Sequence, residues 1–115
     1  MSARLERLRR TALALPETTE EVAWEDHPTF RVRNKIFVIT GFTAESITVK
    51  ATPEDQEALV ATHPRISVAA YVGRYGWVSM DLTGKGLDWA LVEDLVVDSY
   101  RLVAPKKLVA TVGQV

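Results

Sequence analysis

Trp24-Glu25-Asp26-His27-Pro28-Thr29-Phe30-Arg31-Val32-Arg33-Asn34-Lys35-Ile36-Phe37 contains an acidic pair, a His-Pro corner and an aromatic-basic segment that turns back on itself. Residues 30–32 and 35–40 read as two strands on either side of Arg33-Asn34. Asn tolerates the left-handed backbone that a tight hairpin turn requires, so a β-hairpin is expected here. Trp24, Phe30 and Phe37 are expected in the core, where aromatic rings contribute large apolar area. Residues 20–24 read as a short strand leading into the hairpin.

Further strands and helices follow on both sides. Residues 46–51 alternate, with Ile47, Val49 and Ala51 on one face and Ser46, Thr48 and Lys50 on the other. Residues 76–82 do the same, with Val78, Met80 and Leu82 opposite Trp77, Ser79 and Asp81. Leu5, Leu8, Ala12 and Leu15 recur at helical spacing before Pro16, which predicts a helix over 3–15. Thr52-Pro53-Glu54-Asp55 starts a second helix: a side-chain cap, a proline in the first turn and acids at the positive helix end. That helix should stop at Thr62, before His63-Pro64. Asp88 caps a last helix with Leu91, Leu95, Val96, Tyr100 and Val103 as its apolar stripe, which Pro105 breaks. Strands gathered between helices and joined by short turns predict an α+β domain, an antiparallel sheet with helices packed on one face.

The same ordered residues carry a resemblance. The 24–37 stretch, the Arg- and Leu-rich helix ending in Leu15-Pro16, Trp77-Val78-Ser79-Met80-Asp81-Leu82 and the tail from Asp98 through Pro105-Lys106-Lys107-Leu108 resemble the MmcQ/YjbR family over nearly the whole chain. Those are small bacterial proteins usually described as DNA-binding. The resemblance implies a topology of the frataxin class. Frataxins bind iron through acids on the first helix and the edge strand. Here the first helix is basic, with Glu6 as its only acid, so that activity does not transfer.

Composition sets the limits. A chain of 115 residues with 47 % hydrophobic content suits a single domain, expected to span 1–115. There is no Cys, which excludes disulfides, thiolate metal sites and Cys nucleophiles. No apolar run approaches a membrane span or a signal peptide, so no membrane partner and a cytoplasmic, bacterial-type protein are expected. The net charge of -1 argues against strong avidity for DNA, but its distribution is blocked. Residues 17–26 hold five acids and no base, whereas 31–50 hold Arg31, Arg33, Lys35 and Lys50 against Glu45 alone. Such blocks also arise as solvated faces with local ion pairs.

Signals for catalysis are thin. His27 beside Asp26 and Glu25 has the neighbours that raise and orient an imidazole. The chain has only two His, however, and His63 lies far off in sequence, so no zinc set forms and a structural role for His27 is expected. Gly73, Gly76, Gly84 and Gly86 lack phosphate-loop spacing, and Ser46, Ser67, Ser79 and Ser99 lack a nucleophile elbow. No enzyme, cofactor or metal is expected.

The expected function is weak, non-specific DNA binding. Arg31, Arg33, Lys35, Lys50 and Arg74 would contact phosphates, while Tyr75 and Trp77 would stack on bases. The segment Tyr71-Val72-Gly73-Arg74-Tyr75-Gly76-Trp77 reads as a flexible aromatic wing, paired with the Arg33-Asn34 turn. Three or four neutralised phosphates would give a log K against log salt slope of about -3 to -4 on duplex DNA. A protein-interaction or homodimer surface on the same face is the alternative, as is a small-ligand pocket near His27 and Trp24. A continuous positive stripe would favour nucleic acid; one broken by Asp81 and Glu45 would favour a protein partner.

Overall fold

The computed structural model describes residues 3–23 and 26–112. Trp24 and Glu25 fall outside it, and with them the expected burial of Trp24 and its pocket with His27. The described elements run α1 (Ala3–Leu13), β1 (Thr18–Ala23), β2 (His27–Val32), β3 (Lys35–Thr40), β4 (Ser46–Val49), α2 (Pro53–Thr62), β5 (Ile66–Val68), a 3-10 turn (Gly73–Tyr75), β6 (Val78–Asp81), α3 (Trp89–Val103) and α4 (Lys106–Val109). The six strands form one antiparallel sheet in the order β1-β2-β3-β4-β6-β5. Helices α1 and α3 cover one face, giving the α+β architecture expected from the sequence.

The hairpin forms where it was expected. Arg33 (φ 50°) and Asn34 (φ 67°) are both left-handed, which is the requirement of the tight turn whose twist matches the flanking strands. The expected His-Pro corner is absent: His27 and Pro28 open β2. Pro28 is tolerated because the β2-β3 ladder begins only at Thr29↔Ile39, so its missing N–H leaves no rung of that ladder unmade. The Thr40 hydroxyl donates to the Pro28 carbonyl at 3.0 Å. Register shifts between Phe30↔Val38 and Arg31↔Ile36, leaving Phe37 as an extra residue on β3. This bulge lets the consecutive residues Phe37 and Val38 both be fully buried, which strict alternation forbids.

Other boundaries differ from expectation for local reasons. α1 ends at Leu13, two residues before the predicted end, since the residue preceding Pro16 avoids the helical region. β5 and α4 carry no alternation or cap long enough to be read in advance. α2 matches: the Thr52 hydroxyl accepts from Asp55 N–H at 3.1 Å, and the helix ends at Thr62. Asp88 caps α3 through Ala90 N–H and Leu91 N–H. α3 buries Val92 and Ser99 beside the expected Leu95, Val96 and Tyr100.

Ser99 joins the layers. Its hydroxyl donates to the Phe37 carbonyl at 2.6 Å and accepts from Lys50 N–H at 2.9 Å. By register, Phe37 and Lys50 are the pair that would follow Val38↔Val49 in the β3-β4 ladder. The two strands have parted there, and the helix hydroxyl stands in for the missing rung. Next to it, the Tyr100 ring meets Phe37 edge-on at 5.5 Å, and its hydroxyl donates to the Pro16 carbonyl at 2.8 Å. Burial, with the Glu17 carboxylate nearby, pushes the Tyr100 hydroxyl above the ordinary tyrosine range and keeps it a donor.

These two residues should respond differently to truncation. Ser99→Ala leaves a buried N–H and a buried C=O without their partner and should destabilise by about 1–3 kcal/mol, whereas Tyr100→Phe removes one hydrogen bond and should cost about 0.5–1.5 kcal/mol. Chemical denaturation of both variants is the check. An unchanged Ser99→Ala midpoint would mean the strands close without the hydroxyl.

Candidate nucleic-acid interface

Register brings the candidate residues to one end of the sheet. The β2-β3 turn, the end of β4, the β5-β6 loop and the C-terminal end of α1 all lie there. The β2-β3 turn and the β5-β6 loop are three strand spacings apart, about 14 Å at about 4.8 Å per strand. Asp81 and Glu45 lie toward the opposite end, with the Ser46↔Asp81 pair, so neither interrupts this edge.

The cations divide. Lys35 is exposed at the start of β3. Arg31 is half-buried on the helix-free face, opposite Thr19 and Ile36, and its Nε donates to Thr29 Oγ1 at 3.2 Å. Arg33 sits in the turn rather than on the sheet face, and its exposed guanidinium is ion-paired. Its Nε and Nη2 grip Glu17 Oε1 and Oε2 at 2.6 and 3.1 Å. That bidentate pair holds the Glu17 carboxyl below the usual glutamate range and joins two left-handed residues, since Glu17 has φ 57°. Lys50 is also displaced from its expected place. It lines a groove between α2 and α3, its N–H committed to Ser99.

The wing is more ordered than the sequence reading of a flexible loop. Gly73–Tyr75 forms a 3-10 turn closed by Gly76 at φ 97°. A side chain at Gly76 would collide with the Ala51 carbonyl, and one at Gly73 with the Val68 side chain. The glycines therefore serve close packing, not mobility. Gln56 of α2 reinforces the turn, its Nε2 donating to the Gly73 and Trp77 carbonyls at 2.6 and 2.9 Å. Arg74 stacks over the Tyr75 ring at 4.9 Å from its centroid, and Tyr75 is 56 % exposed. Trp77 is half-buried just before β6, one step along from the Thr48–Ser79 hydroxyl pair of the open face.

The site also contains residues absent from the expected set. Tyr71 is 97 % exposed and has φ 63°, an unfavourable backbone for a bulky residue. Neither property leaves a trace in the surrounding Ala-Ala-Tyr-Val sequence. Glu17 and Gln56 are likewise illegible, because their partners are 16, 17 and 21 positions away.

At the opposite end, the His27 Nδ1–H donates to the Thr40 carbonyl at 3.0 Å, and the ring packs on Phe42 at 4.4 Å. This gives His27 a structural role. Among the described residues no group of His, Asp and Glu is arranged to hold a metal ion, and no helix is long and apolar enough to cross a membrane.

The comparisons with known proteins agree with this geometry at the level of fold. The chain is similar to the crystal structure of the Deinococcus radiodurans protein DR2400, of domain family DUF419, with a TM-score of 0.76 and 25 % identity. The match covers 85 % of this chain and 76 % of that one. No curated protein matches the chain. A family model described as YjbR matches residues 13–102, from the end of α1 through most of α3, and the chain belongs to the YjbR family.

Proposed function

We propose that this YjbR-family chain is a non-enzymatic DNA-binding protein with weak, sequence-independent affinity that prefers single strands. The observation that carries this reading is the pair of exposed aromatics, Tyr71 and Tyr75, that one end of the sheet presents beside the half-buried Trp77. Tyr71 is almost fully exposed, Tyr75 is exposed with Arg74 stacked on it, and Trp77 is half-buried where the segment enters β6, with Gln56 bonding the Gly73 and Trp77 carbonyls. An aromatic ring on a hydrogen-bonded segment has less freedom to lose when a base stacks on it, and stacking tolerates any base. Arg74, Lys35 and Arg31 supply positive charge at the same end, and the register keeps Asp81 and Glu45 away from it.

The pairing of Arg33 with Glu17 reduces the number of phosphate contacts below the three or four first expected. With two or three contacts, log K against log salt should fall with a slope of about -1.4 to -2.1 on single-stranded DNA, at about 0.7 per contact. The non-enzymatic reading rests on the candidate nucleophile and base being engaged elsewhere: Ser99 bridges two strands, and His27 bonds a main-chain carbonyl.

Fluorescence anisotropy with single-stranded and duplex oligonucleotides at two salt concentrations tests the reading. Tyr71→Ala and Trp77→Ala should each weaken single-stranded binding by about 1–3 kcal/mol without altering the salt slope, since stacking releases no counterions. An absence of binding to either DNA at low salt would overturn it in favour of a protein partner.

Glu17→Gln offers a test in the opposite direction. Losing the carboxylate charge frees the Arg33 guanidinium, so DNA binding should strengthen and the single-strand slope should steepen by about 0.7. A variant with unchanged slope would exclude Arg33 from the interface.

A further inference from the structure

α2 and α3 enclose a groove of about 530 Å³. α2 buries none of its residues, although Leu59 packs partly on the core and Val60 is 37 % exposed. A surface helix normally turns its apolar residues inward; of those on α2, Ala58 and Leu59 line the cleft. The facing wall is the flank of α3 where its core stripe, through Leu91 and Leu95, meets the solvent-facing side. Leu91, Asp94, Leu95, Asp98 and Leu102 recur at helical spacing along the groove. From residue 91 to 102 this wall runs about 16 Å, three helical turns at about 1.5 Å per residue. Leu102 is 42 % exposed.

The charges on the rim are unequal. Asp55, Asp94 and Asp98 line the groove against Lys50 and Arg101, and Arg101 already approaches Asp98 at 3.7 Å. Partial desolvation pushes the Asp98 carboxyl up; Arg101 opposes that shift, and Asp94 and Asp55 add to it. The three carboxylates therefore influence one another across the cleft, yet no set of acids here is close enough to hold a metal ion among the described residues. An apolar floor three turns long with separated carboxylates above it matches an elongated amphipathic cation.

We propose that the α2-α3 groove receives a basic amphipathic helix from a partner protein, its apolar residues on Leu59, Leu91 and Leu102 and its Lys or Arg side chains beside Asp55, Asp94 and Asp98. Helix-in-groove recognition of this kind reads apolar anchors at i, i+3/4 and i+7 and uses flanking charge for orientation. None of Tyr71, Arg74, Tyr75 and Trp77 lines the groove, and this proposal does not depend on the DNA-binding reading.

The test uses the full chain and a synthetic helical peptide of about 14 residues, long enough for the roughly three turns of the groove. It has Leu at the anchor spacing and Lys elsewhere, and a control peptide replaces every Lys by Glu. Binding is followed by anisotropy and by amide chemical-shift mapping. The Lys peptide should bind and perturb the amides of Leu59, Leu91 and Leu102, whereas the Glu peptide should not bind. Asp94→Asn with Asp98→Asn should weaken binding about tenfold, as should Leu102→Ala alone, each equivalent to about 1.4 kcal/mol. All three side chains are exposed enough for the variants to remain folded, which circular dichroism verifies. Equal binding of the two peptides, shifts confined to another face, or no binding at millimolar peptide would overturn the proposal. Concentration-dependent dimerisation through the same residues without peptide would also overturn it, by making a second copy the occupant.

Discussion

The Ser99 hydroxyl is the contact through which the layers of this protein are joined. An antiparallel sheet with helices on one face needs packing between two surfaces of different periodicity, and the hydrophobic effect that drives it is non-directional. Here β3 and β4 part beyond Val38↔Val49, and one side chain from α3 occupies the gap, accepting from one strand and donating to the other. This arrangement fixes the rotation of α3 about its own axis and its position along the sheet. The edge-on contact of Tyr100 with Phe37, and the reach of its hydroxyl to Pro16, follow from that placement. The Phe37 bulge belongs to the same device, since it lets Phe37 bury its ring while its carbonyl meets Ser99.

The consequences extend to the functional end of the molecule. Parting β3 from β4 directs the chain after Val49 toward the helical side, where Lys50 lines the α2-α3 groove instead of joining Arg31 on the open face. α2 starts from that point and reaches the aromatic turn through Gln56. The aromatic platform and the groove are thus two products of one strand departure, formed on opposite sides of α2.

Much of this was legible in the sequence, and the remainder was hidden for physical reasons. α2 and α3 carry their own start signals in Thr52 and Asp88, and β4 and β6 alternate strictly, so local chemistry was enough to identify them. The β2-β3 turn was recognisable because Asn34 suits a left-handed position. Arg33 shows the limit of such reasoning. Its charge and its place beside the turn were visible, but its partner Glu17 comes from the segment between α1 and β1, sixteen residues earlier. β5 has three residues and takes its register from β6. Tyr71 is held in a conformation that its own residue type disfavours, so only the surrounding fold accounts for it.

The order in which these parts occur along the chain bears on how the protein forms during synthesis. Most strand neighbours are close in sequence, so hairpins can assemble early and quickly. The residues that lock them are not: Ser99 meets Phe37 across 62 positions, and Tyr100 meets Pro16 across 84. A nascent chain that has released all six strands from the ribosome still lacks α3. Its sheet would have the part of its apolar face that α3 covers bare, and a gap between β3 and β4 with no hydroxyl to bridge it. Until α3 emerges, that intermediate is the form most exposed to chaperones and to aggregation.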